Sequence, residues 1–256
     1  MLIDTHAHLY SEEFNDDLDE MMQRAFDAGV GRFYLPAIDV AAIPSMKEIE
    51  SKYPREIYLM MGLHPCYVKE NFETELEKIH SQLLSRPFAA VGEIGIDLYW
   101  DKTNLKAQQT AFRAQIRWAK ELKLPIVIHC REAFDEIFEV LETEKSPDLY
   151  GIFHCFSGNI EQAKQAISFQ MKLGIGGVVT FKNGKIDQFL AEIGLEHLVL
   201  ETDAPYLAPV PFRGKRNESS YLKFVAEKLS TIYGLSIDEI AKKTSENALS
   251  IFNNYK

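Results

Sequence analysis

Two histidines near the start of the chain, His6 and His8, are separated by one residue and end a short apolar run. Side chains of an extended strand alternate between its two faces, so these imidazoles point the same way and can chelate one metal ion. Such a pair is also compatible with two ordinary core or surface histidines. Three further histidines, His64, His129 and His154, also stand at the ends of apolar runs. This recurrence favours a metal site with more than one ion.

The elements that would position these side chains alternate along the chain. Apolar runs rich in Val, Ile, Leu and Phe are followed by longer segments with helical periodicity. Strands are predicted over residues 2–8, 32–38, 57–64, 89–96, 126–130, 151–155, 171–179 and 198–202. Helices are predicted over residues 16–28, 72–84, 105–122, 134–142, 160–169, 185–193 and 219–234, and a further one over 237–252.

This alternation predicts an α/β protein, a (β/α)8 TIM barrel with an extra C-terminal helix. An open doubly wound sheet fits less well, because no Gly-x-Gly-x-x-Gly turn follows any predicted strand. The extra helix has Ser236 as its predicted N-cap, with Asp238 and Glu239 in the first turn. No low-complexity linker or repeat divides the chain, so residues 1–256 are predicted to form a single domain.

Composition narrows the class of protein. A chain of 256 residues that is 46% hydrophobic can bury a substantial core. We expect a cytoplasmic protein with no membrane partner, because the sequence shows neither a signal peptide nor the roughly 18 apolar residues that span a bilayer. Three cysteines without Cys-x-x-Cys spacing argue against a disulfide framework. The net charge of -10 would repel a polyanion, so nucleic acid would have to be captured by local basic groups and metal.

The metal-binding side chains all fall at one end of the predicted barrel. The strand ends carry His6 and His8, His64, His129 and His154, while Glu93 lies within the strand 4 run and Asp203 follows strand 8. The active site of a TIM barrel lies at the C-terminal ends of its strands. A core or surface role stays open for any single residue, but the convergence of six strands favours a shared site.

The donor types indicate which ions would bind. Four imidazoles with two carboxylates suit zinc or manganese, and the carboxylates also suit magnesium. The predicted ligands are His6, His8, Glu93, His129, His154 and Asp203. Six ligands exceed the need of one tetrahedral zinc, so we expect two divalent ions. Glu93 is the expected bridge, because a carboxylate on the central strand offers two oxygens to ions about 3.5–4 Å apart.

Several motifs together resemble one known family, the TatD-type metal-dependent deoxyribonucleases of the amidohydrolase superfamily. The motifs are Asp4-Thr5-His6-Ala7-His8, Gly62-Leu63-His64-Pro65, Val91-Gly92-Glu93-Ile94-Gly95-Ile96-Asp97, Ile128-His129-Cys130-Arg131, His154-Cys155-Phe156-Ser157-Gly158 and Leu200-Glu201-Thr202-Asp203-Ala204-Pro205. The resemblance implies two divalent ions, the six ligands named above and hydrolysis of DNA, often as a 3'-to-5' exonuclease on single strands. Many superfamily relatives carry a carboxylated lysine where Glu93 stands. Strand 4 has no lysine, which favours the nuclease branch.

The stretch 209–218 looks like the family's basic loop after strand 8. Arg213, Lys215 and Arg216 would bind phosphates, and Phe212 would stack on a base of a single strand. The alternative is a solvated surface loop. Ser219 stands where family members often have a proline, so the next helix can start differently.

Other residues flank the predicted ligands. Arg131 is a second candidate phosphate contact, with a structural salt bridge as the alternative. His64 and Glu201 would orient ligands or relay protons. Together with Glu93 and Asp203, they form the predicted catalytic group, in which Asp203 is both a ligand and the proton acceptor for an attacking water.

Two other functions remain as alternatives. One is an amidohydrolase reaction that opens a cyclic amide or lactone, because a barrel hosts many chemistries. The Arg-Gly-Lys-Arg loop and the bridging glutamate favour the nuclease over it. The other is a non-catalytic binding protein, which would be expected to have lost ligands, and none of the six is missing.

Overall fold

A computed structural model describes residues 1–252 of the chain. Its eight strands are β1 (Leu2–Asp4), β2 (Val30–Pro36), β3 (Ile57–Met60), β4 (Val91–Asp97), β5 (Ile126–Arg131), β6 (Gly151–Phe153), β7 (Met171–Ile175) and β8 (Leu198–Leu200). All seven residues of β4 are buried, which is typical of a parallel strand covered on both faces. The longest strands, β2 and β4, thus have core on both sides along much of their length.

The strands pair in parallel and in sequence order as two ladders, β1-β2-β3 and β4 to β8. A bridge between Met61 and Val91 joins the first ladder to the second. The other seam is closed by the Thr5 amide, which donates to Leu200 O at 3.0 Å, and by a bridge from Ala7. The ladders therefore close on themselves, and the predicted (β/α)8 barrel is confirmed.

Helices follow the strands around the outside of the barrel. They are α1 (Leu18–Asp27), α2 (Ile43–Lys52), α3 (Phe72–Ser85), α4 (Leu105–Leu122), α5 (Phe134–Glu144), α6 (Ile160–Ser168), α7 (Leu222–Tyr233) and α8 (Ile237–Ile251). In α4, residues Phe112, Ile116 and Ala119 recur at steps of three or four and are buried against the barrel. None of the helices within residues 1–252 is long and apolar enough to cross a membrane.

The predicted extra helix is α8, and it covers the N-terminal ends of the strands. Ser236 caps it through a capping box with Glu239, as predicted from the sequence. The Asn247 amide donates to Leu198 O at 2.7 Å, at the first residue of β8. Ser245 Oγ donates to Met1 O, just before β1. With this end covered, the opposite end of the barrel is left for the site.

The prediction of a helix over residues 185–193 is wrong. The structure has two short 3-10 helices there, Ile186–Gln188 and Leu190–Glu192. Ile186 and Leu190 are buried, as is Ile193, so the spacing of apolar residues identified the correct inward face. It could not identify the hydrogen-bond pattern, because one turn of either helix type gives a similar spacing.

Other element bounds also differ from the predictions. The first and third strands end four residues early, at Asp4 and Met60, although isolated bridges continue the pairing at Ala7 and Met61. The seventh strand ends at Ile175, and the next residues form a 3-10 helix. Helix α2 was not predicted, although Ile43, Met46 and Ile49 form its buried stripe. A 3-10 turn at Ser219–Tyr221 precedes α7, within the predicted helix.

Candidate metal centre

Glu93 lies in the middle of β4 and at the centre of the histidine cluster, with only 2% of its surface exposed. Its Oε2 is 3.2 Å from His6 Nε2 and 3.7 Å from His8 Nε2. Its Oε1 is 2.9 Å from His129 Nδ1 and 3.5 Å from His154 Nε2. Each carboxylate oxygen therefore faces a different pair of imidazoles, which is the arrangement that a bridging ligand requires.

Asp203 approaches the cluster from the end of β8. Its Oδ1 is 3.4 Å from His8 Nε2 and 3.8 Å from His6 Nε2. The backbone of Asp203 has a φ of 58°, a left-handed conformation that Asp tolerates better than most residues. Its amide donates to His6 O at 2.9 Å, which ties the end of β8 to the chain after β1. The predicted ligands from the first and last strands thus meet at the closing seam.

The cluster contains several sets of three potential ligand atoms, each set lying within 4.8 Å. These sets are His6, His8 and Asp203; His6, Glu93 and His154; His64, Glu93 and His129; and His154, Cys155 and Glu201. Glu93 belongs to two of them. All six predicted ligands occur in these sets, so the barrel brings them together at one site.

Two of the histidines have their second ring nitrogen held by a partner outside the cluster. Tyr10 Oη donates its proton to Pro36 O at 2.7 Å and therefore accepts from His8 Nδ1 at 2.9 Å. Asp97 Oδ2 lies 2.9 Å from His129 Nε2 and accepts its proton. These hydrogen bonds assign the tautomers, leaving His8 Nε2 and His129 Nδ1 as the nitrogens that face Glu93.

Glu201, which is fully buried, orients a third histidine. Its Oε1 lies 3.0 Å from His154 Nδ1 and accepts from the Cys155 amide at 2.6 Å. Gly174 makes room for this carboxylate, because a Cβ there would lie 2.2 Å from Glu201 Oε2. His154 Nδ1 makes an ion pair here but no hydrogen bond within residues 1–252, and its Nε2 faces Glu93.

His64 differs from the other histidines in which nitrogen carries the proton. Its Nδ1 accepts from the Cys66 amide at 3.1 Å, so the neutral ring is protonated on Nε2. This Nε2 lies 3.2 Å from His129 Nδ1 and 3.6 Å from Glu93 Oε1. His64 therefore directs an N–H group, rather than a lone pair, into the site.

The donor set tests whether cations fit here. His8 Nε2, which carries a lone pair, lies 3.3 Å from His6 Nε2. It is also close to carboxylate oxygens of Glu93 and Asp203. His6 Nδ1 is buried and has no hydrogen-bond partner in residues 1–252, so no group outside the cluster fixes which nitrogen of His6 carries the proton. Acceptor atoms packed this closely repel each other unless a cation or a proton lies between them. The residues therefore fit a divalent cation.

The pKa shifts follow from the same crowding. Burial alone would raise the pKa of Glu93, but His6, His64 and His154 hold it well below the usual value. Burial lowers the pKa of His64 to about 3, and His129 adds to the effect. For His154 the lowering by burial is outweighed by the nearby carboxylates, Glu201 above all, so its pKa rises to about 10. The negative field that favours a proton on His154 also favours a metal ion, which displaces that proton on binding.

Comparison with known proteins agrees with this geometry. A family profile described as TatD related DNase matches residues 3–253. This chain belongs to the TatD-related DNase family. It is 40% identical over 253 residues to YabD of Bacillus subtilis (strain 168), a match that covers 98% of this chain and 99% of the relative. It is 32% identical over 254 residues to YjjV of Escherichia coli (strain K12), covering 98% and 97% of the two chains.

Both relatives are described as uncharacterized metal-dependent hydrolases. The crystal structure of YjjV, a TatD homolog, superposes on this chain with a TM-score of 0.92 and covers 98% of each chain. This TatD-family protein is accordingly a metal-dependent hydrolase with a barrel fold, as its sequence predicted.

The basic side chains of the loop in this TatD-family chain differ in exposure and pairing. Arg213 and Lys215 are exposed. Arg213 lies over the Phe181 ring at 4.2 Å, and the Lys215 amine is 5.9 Å from the Phe212 ring centre. Phe212 itself stacks on Tyr221 with a centroid distance of 4.2 Å, so one of its faces is already covered.

Arg216 has partners within the chain. Its guanidinium donates two hydrogen bonds to Asp17, at 2.6 and 2.8 Å, and its Nη2 lies 3.7 Å from Glu218 Oε2. Arg24 binds the same Glu218 at 2.9 and 2.7 Å. These four side chains, Asp17, Arg24, Arg216 and Glu218, form what we call the ion-pair cluster, and they fasten the loop to α1.

Sequence reasoning missed three residues that support the centre. Asp97 ends β4 and could have been found by the same strand-end rule that found the ligands. Tyr10 gave no recognisable signal. Asp4, buried within β1, accepts from the Thr202 amide and hydroxyl and from Ser219 Oγ at 2.7 Å. Burial raises its pKa to about 7 against these hydrogen bonds.

Proposed function

We propose that this TatD-family hydrolase cleaves phosphodiester bonds of DNA with two divalent ions, which Glu93 and the surrounding histidines would hold. The observation that carries the proposal is the division of the Glu93 oxygens between two pairs of imidazoles, at 3.2 and 3.7 Å on one side and 2.9 and 3.5 Å on the other. We propose residues 1–256 as one catalytic domain, of which 253–256 lie outside the described residues.

The proposed ligands are His6, His8, Glu93, His129, His154 and Asp203. When bound, two ions at such a site lower the pKa of water and neutralise charge that develops on the phosphate. Magnesium, manganese and zinc all suit the donor set, and the test below includes each.

The chain's own residues supply a proton acceptor and a hydrogen-bond donor. Asp203, whose Oδ1 faces His6 and His8, accepts the proton of the attacking water on its carboxylate group. His64 is a neutral ring that directs its Nε2–H group into the site, where it donates a hydrogen bond to an oxygen of the phosphate. Glu201 acts through His154, whose ring it orients. A general base such as Asp203 contributes typically 10²–10⁴-fold.

The DNA strand would be bound by the exposed cations near the mouth of the barrel. Arg213 and Lys215 are exposed and suited to phosphates, and Arg131 is exposed beside His129. We assign Arg216 to anchoring the loop, because its guanidinium is bidentate on Asp17. Phe212 would stack on a base with the ring face that Tyr221 leaves uncovered. Local cations are needed because the net charge of -10 repels DNA at longer range.

We further propose that the enzyme is a 3'-to-5' exonuclease that prefers single strands. The test uses oligonucleotides of one sequence, single- and double-stranded, labelled at either end, with magnesium, manganese or zinc added in turn. We expect single strands to be shortened stepwise from the 3' end. Stepwise loss from the 5' end, or internal cuts, would refute the direction alone. Absence of cleavage with every metal, together with opening of cyclic amides or lactones, would refute the nuclease assignment.

A further inference from the structure

Two aromatic side chains stand exposed beside the metal centre. Trp100 is 71% exposed and Tyr99 is 49% exposed, directly after the end of β4. A third, Tyr67, is 40% exposed and lines the same pocket of about 350 Å³ as Trp100. Large aromatic side chains are normally buried, and a group of exposed ones next to a catalytic centre marks a surface that binds something.

Arg131 extends this surface. Its guanidinium lies 3.7 Å from the centre of the Tyr99 ring and 5.5 Å from that of Trp100. The two rings are 4.9 Å apart and almost perpendicular, so they do not stack face to face, and Trp100 stays 71% exposed. Stacking on tyrosine leaves the guanidinium flat and exposed, in a form that can contact both a phosphate and a base. We call Tyr99, Trp100 and Arg131 the aromatic platform.

The aromatic platform is held at a fixed position relative to the metal centre by one carboxylate. Asp97 Oδ1 accepts from the Tyr99 amide at 2.9 Å and from the Trp100 amide at 3.2 Å. Its other oxygen, Oδ2, lies 2.9 Å from His129 Nε2. Gln108 fixes Asp97 from behind, donating to its carbonyl at 3.1 Å and accepting from its amide at 2.8 Å. The residue that orients a ligand therefore also positions the platform.

The charge and shape of the aromatic platform indicate which kind of ligand it binds. A polar small molecule would not need an exposed indole, and an apolar one would not need a guanidinium. A nucleotide has a flat base that stacks on aromatic rings and a phosphate that binds arginine, and single-stranded nucleic acid is bound elsewhere by this combination. The pocket beside Trp100 also reaches Asp97, one side chain away from His129, so a base there adjoins the reacting phosphate.

We propose that Tyr99, Trp100 and Arg131 form a nucleobase subsite that holds the nucleotide next to the cleaved bond, with its base on Trp100 and its phosphate on Arg131. This inference rests on the proposed function and specifies its substrate as a base-bearing strand. Because every base has a π-face, the subsite accepts all four bases.

The first experiment measures binding without catalysis. The chain has two tryptophans, and Trp118, on α4, is partly buried and stacked on His80. In a Trp118→Phe background the emission therefore reports on Trp100 alone. With chelator present, we expect a short single-stranded oligonucleotide to quench this emission. An oligonucleotide with abasic sugars at every position should quench it far less, and equal quenching by both would overturn the subsite.

The second experiment measures kcat/KM on base-bearing and abasic strands. Trp100→Ala should lower kcat/KM about 5- to 100-fold on the base-bearing strand, the loss of one base–aromatic stack, mainly through KM. It should leave the abasic strand almost unchanged, and Trp100→Phe should recover most of the loss. If Trp100→Ala impaired both strands equally, or lowered the metal content, the segment would serve only to hold His129 and the subsite would be refuted.

The two experiments separate this inference from the proposed function. A parental protein that cuts no DNA with any metal, yet shows base-dependent quenching of Trp100, supports the subsite and refutes the nuclease. A protein that cuts DNA but shows the same quenching and the same kcat/KM for base-bearing and abasic strands refutes the subsite alone. A protein that showed neither cleavage of DNA nor quenching of Trp100 would refute both the nuclease assignment and the subsite.

Discussion

The metal centre around Glu93 and the ion-pair cluster both bring together ionisable side chains from distant parts of the chain. In the ion-pair cluster, two guanidinium groups face two carboxylates, with Arg216 on Asp17 at 2.6 Å and Arg24 on Glu218 at 2.7 Å. Formal charges cancel within the cluster. In the metal centre, carboxylate oxygens and imidazole lone pairs face each other across similar distances. The ion-pair cluster balances its own charges, whereas the metal centre needs an added cation to do so.

The pKa shifts express the same difference. Hydrogen bonds from Arg216 are the largest cause that lowers the pKa of Asp17 to about 2. In the metal centre, neighbouring groups are pushed in opposite directions, with the pKa of His154 raised to about 10 and that of His64 lowered to about 3. A cluster whose members stabilise each other's ordinary charges is structural. A cluster whose members force protons onto some groups and off others is one that binds a cation or moves protons.

Replacement of Glu93 by glutamine should have the largest effect. An amide offers one weak oxygen where the carboxylate offers two anionic ones, so two cations can no longer be held close together. We expect loss of one ion and a fall in turnover of at least about a hundredfold, or about 2.7 kcal/mol, as when one strong electrostatic stabiliser is removed. Metal stoichiometry and single-turnover cleavage of a short single strand provide the measurement.

The matched control for this change is Glu144→Gln. Glu144, on α5, is also nearly buried, but its partners are Arg117 at 2.8 Å and Lys120 at 2.8 Å. This control should lower the melting temperature and leave metal content and turnover unchanged. A Glu93→Gln protein that kept two ions and near-parental turnover would show that Glu93 is a core carboxylate.

The double change His6→Ala with His8→Ala tests whether the centre depends on its cations. At a metal concentration of 100 times Kd, a bound ion stabilises the fold by about 2.7 kcal/mol. Chelation should therefore lower the melting temperature of the parental protein by about 5–10 °C, at 2–4 °C per kcal/mol for a chain of this size. The double variant should lose an ion and most activity, keep its circular dichroism spectrum and respond less to chelator. Unchanged metal content would contradict the ligand assignment.

Arg216→Ala breaks the ion-pair cluster and should cost about 1–2 kcal/mol of unfolding free energy, the usual value of hydrogen bonds to charged groups that are partly exposed. The pKa of Asp17 is depressed in the fold, so the pairing stabilises the protein above the unfolded value of 3.8 and is lost as the pH falls through about 2. Denaturation by urea at pH 7 and at pH 3 should therefore show a smaller difference between variant and parent at the lower pH. Unchanged stability with weakened DNA binding would instead make Arg216 a phosphate contact.

Arg213→Ala with Lys215→Ala should have the smallest effect on stability and act on binding alone. Each lost phosphate contact reduces the slope of log affinity against log salt concentration by about 0.7 for a single strand. We expect weaker binding of a single strand and a slope lower by about 1.4, with cleavage of a small phosphodiester changed much less. Equal loss on both substrates would make the loop structural.

The sequence by itself predicted the residues that the fold brings together around Glu93, because the rule that connects them is local. The proposed ligands lie after or within apolar runs, as His129 follows the run that begins at Ile126, and a barrel makes the ends of all such strands converge. It also predicted the extra helix from Ser236 as the N-cap, with Asp238 and Glu239 in the first turn. Signals of this kind lie within a few residues of the feature they predict.

Only the tertiary structure decided which side chains are free to act. Arg213 and Arg216 are indistinguishable in the sequence, yet Arg216 is paired with Asp17, 199 residues away along the chain. The proton on His64 depends on the Cys66 amide, and the orientation of His154 depends on Glu201, 47 residues further along. These partners are set by how strands and loops meet at the barrel mouth. The periodicity of a sequence records which face of an element is buried, but carries no information on which distant group will lie opposite it.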